Sequence, residues 1–433
     1  MTRGSARSIP ASSISAVGDS RFTRTGRRVP YWDDPDVTGV TKGVEGMHRT
    51  GRRADPSSVR SWNEYAVVDA LRTDGPQRIT ELVGSTGLSQ ATLAEVLRGL
   101  SDKGWADVGP ARVSGPGRPS QMFSARTPAG QVLGVDIGPH SVRAVSTDLA
   151  GEPVRRAECE VADGEIRRDA SPVHEAVSTV VAECTDDASE VWVTAFALSG
   201  TVDDGGRLAR SVTLPAWEGH RPGDLLGECI QGITMADNDV RAALWAEHRV
   251  GVSRGHTEVV QIQLGRRPSM ALLLGGVPRQ GVHHIAGDLS MSALRPTSEL
   301  RAWRSDADGI RDPVGHMVQA ALDGDPAVLA TVKDYTGQVA ETLALAATLV
   351  DPSLVVVGGA LTPLAHLFED DLREYLATHA QIAPELGISQ LDQFASAHGA
   401  ALLASRDILS TLADPTTGLR PFTREAYTAG VGS

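Results

Sequence analysis

The segment LGVDIGPHSVRAVSTDLAGEPV, Leu133–Val154, constrains the fold more than any other stretch of the chain. Leu133, Val135 and Ile137 alternate with Val132, Gly134 and Asp136, the two-residue period of a strand. Gly138 breaks the run, SVRAVSTDLAG alternates again as a returning strand, and Ala150-Gly151 marks the next turn. Downstream, Ser171-Pro172 opens a helix, with proline at the first helical position where its missing N–H does no harm. EVWVTAFALSG, residues 190–200, then reads as a buried strand, and SLVVVGGAL, residues 353–361, as another after the helix QVAETLALAATLV. Strands alternating with helices predict an α/β body with covered sheets. There is no tandem repeat of 20–50 residues, although two similar halves remain open.

The region upstream has a different period. Ala66, Val67, Ala70 and Leu71 form an apolar helical stripe that ends at Thr73–Pro76. TELVGS predicts a second, short helix with Thr80 as its N-cap, and TGL turns the chain. Ser89 then caps a third helix, QATLAEVLRGLSDKG, whose Leu93, Val96, Leu97 and Leu100 face inward. A short helix, a glycine-containing turn and a longer capped helix are the parts of a helix-turn-helix. Beyond Gly104, two extended pieces flank a Gly/Pro/Arg tip and read as a wing. The organisation expected is therefore a disordered extension (1–57), a winged helix-turn-helix (58–128), an α/β body (129–410) and a loose polar tail (411–433). Met47 is an alternative start, so whether residues 1–46 belong to the native protein stays open.

Charge is distributed unevenly. Residues 1–60 hold 11 Lys+Arg against 6 Asp+Glu, residues 61–130 hold 7 against 7, and the remainder holds 23 against 41. The overall −13 thus comes from the body, and the front part is free to approach a phosphate backbone. The three cysteines, Cys159, Cys184 and Cys229, are far apart and have no CxxC spacing, which fits a reducing cytoplasm and disfavours a disulfide framework. No apolar run has the roughly 18 residues of a membrane span, and the N-terminal arginines precede no apolar signal core.

Taken together, TELVGSTGLSQATLAEVLRGLSDKGW, GPGRPS, GVDIG…DLAGEPV, LSGTVDDGGRLARSVTLPAW, ADNDVRAALWAE, HHIAGDL and LVDPSLVVVGGALTP resemble the ROK family. They are most similar to its repressor branch, in which a winged helix precedes an actin-like, two-lobed sugar-kinase body. The resemblance covers residues 58–405 and implies a sugar cleft between the lobes and assembly as homodimers or homotetramers. It places Asp239 where the kinases have their catalytic base, Asn238 at a sugar-binding asparagine, Gly200 beside the sugar, and Asp136 and Gly138 at the metal–nucleotide end.

Several residues depart from the kinase pattern. The turn after Asp136 reads Gly138-Pro139-His140, and proline has no N–H to offer a phosphate. The second phosphate turn reads Arg266-Arg267-Pro268 where the kinases have glycines that admit close backbone approach. The family's Gly-Glu-x-Gly-His zinc segment reads Gly287-Asp288-Leu289-Ser290-Met291, with no cysteine between Ser292 and Ser305, so no metal or other cofactor is expected. Asp288 and Arg301 take the places of two glutamates, an arrangement suited to an acidic sugar, to a sugar phosphate or to no ligand at all.

At the other end, Ser89, Gln90, Ala91 and Thr92, with Arg98 further along, are placed to enter a major groove. Arg118 suits the narrow minor groove of A·T-rich DNA, whereas Glu95 would repel phosphate. The leading expectation is a regulator, a repressor of carbohydrate-related genes, that binds a double-stranded operator and answers to a sugar or sugar derivative without kinase activity. The alternatives are an active ATP-dependent sugar kinase fused to a winged helix, and a regulator answering to a protein partner.

Overall fold

The computed structural model describes residues 7–10, 56–109, 121–138, 140–161, 171–185, 189–265, 268–289, 313–414 and 418–431. The chain divides into two compact units. The larger comprises residues 1–17, 131–147 and 151–403; the smaller comprises 18–130, 148–150 and 404–433. Within the stretch expected to be disordered, Arg7–Pro10 (β1) is a strand paired antiparallel with residues 155–158. Backbone pairing at a sheet edge asks little of side-chain pattern, which is why composition misses it.

The smaller unit begins with helices α1 (Pro56–Thr73), α2 (Ile79–Thr86) and α3 (Gln90–Asp102). Beside them lies a three-stranded antiparallel sheet in the order β2 (Gln77–Arg78), β4 (Met122–Ala125), β3 (Ala106–Gly109). Val67, Leu71, Leu82, Leu93, Val96, Leu97, Leu100 and Phe123 are buried, and the last four helical ones recur at the spacing of one α3 face. α2 starts one residue before the expected cap: Arg78 is the N-cap, and its N–H donates to Glu81 Oε2 at 2.7 Å. Gly87 then turns the chain at φ 70°, a left-handed conformation that glycine adopts without a Cβ penalty.

The larger unit contains two sheets of the same topology. In the first, β5 (Gln131–Ile137), β6 (Ser141–Asp148) and β7 (Pro153–Glu160) form an antiparallel meander. Beside β5 run β8 (Val191–Leu198) and β11 (Ile233–Asn238), both parallel, giving the order β1-β7-β6-β5-β8-β11. A small hairpin of β9 (Thr201–Val202) and β10 (Leu208–Arg210) follows β8. In the second sheet, β12 (Val259–Gln263), β13 (Ser269–Leu274) and β14 (Val277–Arg279) repeat the meander. β15 (Leu354–Gly358) and β16 (Glu385–Ile388) run parallel beside β12, giving β14-β13-β12-β15-β16. The two similar halves that the sequence left open are therefore present at the level of topology.

Helices α4 (Ser171–Cys184), α5 (Asp239–Val250), α6 (Pro313–Leu322), α7 (Pro326–Val350), α8 (Glu369–His379) and α9 (Ala395–Leu412) cover the sheets. Val135, Val177, Phe196 and Trp217 centre the first core, and Ile262, Tyr335, Val355 and Phe368 the second. α5 leaves the end of β11 and packs Val240, Leu244 and Trp245 against Val259, Leu354 and Val356 of the second sheet. Two glycines permit close approach here. A Cβ on Gly134 would lie 1.9 Å from the Ala397 carbonyl oxygen, and one on Gly399 would lie 1.8 Å from that of Ala242.

Within the segment expected to be a loose tail, the described residues form regular structure. Ala413–Asp414 pairs with Gly418–Leu419, and α10 (Arg424–Val431) follows. Leu419, Phe422 and Tyr427 are 4%, 3% and 0% exposed, and the Tyr427 hydroxyl donates to Asp407 Oδ2 at 2.8 Å. These side chains are buried by residues of the smaller unit far away in sequence, so local composition could not reveal their partners. No helix among the described residues is long and apolar enough to cross a membrane.

Candidate effector site

The C-terminal ends of parallel strands, with helices starting beyond them, are where α/β sheets gather polar ligand-binding groups. In the first sheet, register places Ile137, Leu198 and Asn238 side by side at the ends of β5, β8 and β11. Asp136 precedes that edge, Gly138 follows it, and Ser199-Gly200 and Asn238-Asp239 leave it. The structure thus places Asp136, Gly138, Gly200, Asn238 and Asp239 at one edge of this sheet.

Asn238 is the N-cap of α5: its Oδ1 accepts from Val240 N at 3.0 Å and Arg241 N at 3.1 Å. Its Nδ2 donates to the Gly200 carbonyl at 2.9 Å and to Asp239 Oδ1 at 3.1 Å. Asp239 Oδ1 also accepts from Val240 N at 2.9 Å. These bonds hold the carboxylate at the positive end of the helix dipole. Gly200 has φ 144°, and a Cβ there would sit 2.4 Å from the Arg210 carbonyl oxygen, so only glycine fits against the hairpin.

Electrostatics at this edge oppose two charges. Burial raises the Asp239 carboxyl from 3.8 to about 7, the nearby Asp136 adding to the rise and hydrogen bonds from Val240 N and the Ser199 side chain moderating it. Burial likewise raises Asp136 from 3.8 to about 6, against the pull of the Arg143 guanidinium. Arg143 lies 4.0 Å from Asp136 and 2.8 Å from Glu158. Near neutrality the pair therefore carries fewer than two charges and offers both a proton donor and an acceptor to a ligand hydroxyl.

Across from this edge, the loop after β14 is tied to α5. Arg241 is 3% exposed, its Nε donates to Asp237 at 2.7 Å, and its Nη1 donates to the His284 carbonyl at 3.5 Å. Asp288 ends the loop as an exposed side chain after Gly287, whose φ is 85° and where a Cβ would meet the Met270 carbonyl oxygen at 2.1 Å. In the second sheet, Gly359 has φ 95°, and a Cβ there would lie 2.5 Å from the Leu264 carbonyl oxygen. Strand contact alone thus accounts for this glycine, without a nucleotide. Pro139, Arg266, Arg267, Met291 and Arg301 lie outside the described residues. Among the described residues no group of three or more His, Cys, Asp or Glu side chains is placed to hold a metal ion.

Ser199, Arg143, Asp237 and Arg241 are site residues that the sequence reading missed. Ser199 adjoined Gly200 and could have been found; the others depend on which strand faces which.

In the smaller unit, Ser89 caps α3, its Oγ accepting from Thr92 N at 3.2 Å and lying 2.9 Å from Thr92 Oγ1. Gln90, Ala91, Glu95 and Arg98 are exposed and Thr92 half-buried. The hydroxyls of Ser89 and Thr92 thus bond each other, leaving Gln90, Glu95 and Arg98 among the larger polar groups exposed on α3. Arg118 lies outside the described residues.

The ROK family model matches residues 132–298 and 301–407. A bifunctional enzyme NanE/NanK of Brucella melitensis biotype 1 is 29% identical over 199 residues, 43% of this chain and 37% of that protein. A glucokinase of Streptomyces coelicolor is 25% identical over 175 residues, 32% of this chain and 55% of that protein. The chain thus spans only about a third to a half of the length of these curated relatives. A solved ROK family transcriptional regulator, a homologue of the E. coli MLC protein, superposes with a TM-score of 0.60 at 17% identity, over 86% of this chain and 98% of its own. A ROK family glucokinase from Streptomyces griseus, in complex with glucose and AMPPNP, superposes with a TM-score of 0.52 at 22% identity, over 63% of this chain and 99% of its own. The solved structures show an actin-like sugar-kinase fold, and the family match covers most of the chain: this protein belongs to the ROK family.

Proposed function

We propose that this protein is a DNA-binding transcriptional regulator, a repressor of carbohydrate-related genes, whose kinase-like body senses a sugar or sugar derivative without phosphorylating it. The observation that carries the reading is the capped helix α3, which presents Gln90, Ala91 and Arg98 to solvent after the Gly87 turn, with antiparallel β3 and β4 behind it. These elements support the reading of a winged helix-turn-helix with α3 as its recognition helix. Gln90 suits an adenine edge, Ala91 a thymine methyl, Arg98 a phosphate or guanine, and Arg118 at the wing tip a narrow minor groove. The regulator structure aligns over 86% of the chain, against 63% for the glucokinase, which supports a unit beyond the kinase body.

In the body, Asn238, Asp239 and Gly200 form the effector site, and Asp288 and Arg301 contribute to its specificity. Asp239 hydrogen-bonds a sugar hydroxyl and so reports occupancy. Pro139 and Arg266-Arg267-Pro268 deprive the site of the fixed phosphate donors that phosphoryl transfer needs. The protein works in the cytoplasm as a homodimer or homotetramer, and a two-fold assembly sets two half-sites in register on the operator. The Asp136–Asp239 pair favours a second reading, an active sugar kinase, since a base with a pKa of about 7 suits proton abstraction.

Footprinting across the promoter of the chain's own gene tests the proposal. The expected result is a protected A·T-rich near-palindrome, with Arg118→Ala weakening binding and reducing the salt slope by about 1. Uniform, sequence-independent coverage would overturn it.

A further inference from the structure

Trp105 stands at the junction between the proposed recognition helix and the proposed wing. α3 ends at Asp102, Lys103 is its C-cap, Gly104 turns the chain at φ 79°, and β3 begins at Ala106. This three-residue joint sets the angle between helix and strand; Lys103 N, Gly104 N and Trp105 N donate back to the Gly99, Ser101 and Leu100 carbonyls of α3, and the Trp105 carbonyl accepts from Arg126 N at 2.9 Å. The C-terminal segment adds further contacts to it. The Phe422 ring stacks on Trp105 with centroids 4.4 Å apart and planes 20° from parallel. Trp105 Nε1 donates to the Arg420 carbonyl at 2.7 Å, and Phe422 N donates to the Lys103 carbonyl at 2.8 Å. The joint is thus gripped on both sides by backbone and ring contacts, and Trp105 is only 1% exposed.

The grip is anchored in turn. Arg420 N donates to the Leu412 carbonyl at 2.8 Å, extending the pairing of Ala413–Asp414 with Gly418–Leu419, and Tyr427 is fully buried with its hydroxyl on Asp407. On the other side of the joint, Lys103 Nζ lies 2.6 Å from Glu64 Oε2, a carboxylate buried in α1. Two long-range ties therefore converge on residues 103–105, one from α1 and one from the C-terminal segment.

We propose that residues 418–431 are a positioning clamp for DNA recognition: by stacking Phe422 on Trp105 and bonding Lys103, they fix the wing relative to the recognition helix. The proposal rests on the DNA-binding reading above. Phe422 touches no DNA in this account; it acts through the joint. The proposed engagement of a major groove by α3 and of a minor groove by Arg118 depends on that angle, so helix and wing contribute together only while the joint is held.

The test uses the full chain and a duplex enriched from random sequence by the wild-type protein. Phe422→Ala is expected to weaken binding about tenfold, within the range of coupling for residues in one contact network. The decisive readout is a double-mutant cycle. Arg118→Ala should lower affinity clearly in the wild-type background and less than about twofold in the Phe422→Ala background, because an unpositioned wing has little to lose. Additive losses, or unchanged binding by Phe422→Ala, overturn the proposal. Phe422→Leu, which keeps apolar volume and loses the stack, serves if the alanine variant does not fold, and Phe422→Tyr should restore binding. If the wild type enriches no duplex, the regulator reading has failed, and amide exchange on the free protein judges the clamp. Faster exchange at 103–109 and 122–125 in Phe422→Leu, with the body unchanged, supports a clamp on the joint; equal exchange overturns it.

Discussion

Asp239→Asn should make the protein more stable at pH 8 and leave it nearly unchanged at pH 4. The native carboxyl titrates at about 7 rather than 3.8, with burial as the main cause and the Asp136 charge second. Between those values the folded chain holds a proton that the unfolded chain has released, so stability falls as pH rises and the loss is complete above about 7. The full displacement corresponds to at most about 4 kcal/mol. Asp239 keeps some contact with water at the strand ends, and part of the displacement is shared with Asp136, so about 2 kcal/mol is the expected difference. Asparagine keeps an oxygen for Val240 N, so the helix start remains bonded. For a body of this size, about 2 kcal/mol is a rise of roughly 4–8 °C in melting temperature. Thermal melts followed by emission of Trp217 and Trp245, 0% and 1% exposed, should show the gap opening between pH 4 and 8. Parallel pH profiles for the two proteins, or a variant less stable at pH 8, would refute the argument that an uncompensated buried charge sits there.

Three further outcomes follow from the same residues. ATP-dependent phosphorylation should be undetectable in a coupled assay over hexoses, acetamido sugars and sugar acids, since loss of even one preorganised donor costs about 2.7–4 kcal/mol of barrier; turnover that vanishes in Asp239→Asn would reveal a working kinase. Elemental analysis of the purified protein should find no stoichiometric zinc, given Met291 and the absence of cysteine from Ser292 to Ser305; one chelation-resistant zinc per chain would contradict this. Gly399→Ala should cost about 3 kcal/mol or more, because its Cβ would lie 1.8 Å from a backbone oxygen of α5 that no side-chain rotation can move. Urea denaturation measures that cost, and a neutral result would mean that α5 and α9 do not cross so closely.

Local pattern was enough wherever a residue's role depends on near neighbours. The alternation through Leu133–Ile137 produced a buried strand, and Ser89 before an apolar stripe produced a capped helix, because side-chain period and cap bonding act within a few residues. Asn238 and Asp239 were legible through the resemblance to the ROK family, which marks both residues. Arg143 was not, because its nearness to Asp136 depends on β5 and β6 lying side by side.

The sequence by itself determined most element types, the α/β body, the family and the residues available at the ends of the strands. Only the tertiary structure decided how those residues behave. Asp136 and Asp239 are ordinary carboxylates until β5, β8 and β11 align and water is withdrawn from both, which raises them together. Leu419, Phe422 and Tyr427 lie in a segment that is polar overall and contains Pro and Gly, so a reading by composition saw a loose tail. Their burial depends on partners such as Trp105 and Asp407, and for Trp105 those partners are more than 300 residues away in the chain. Hydrophobic burial is indifferent to sequence separation, and that is why the fold could order a segment whose own composition does not ask for it.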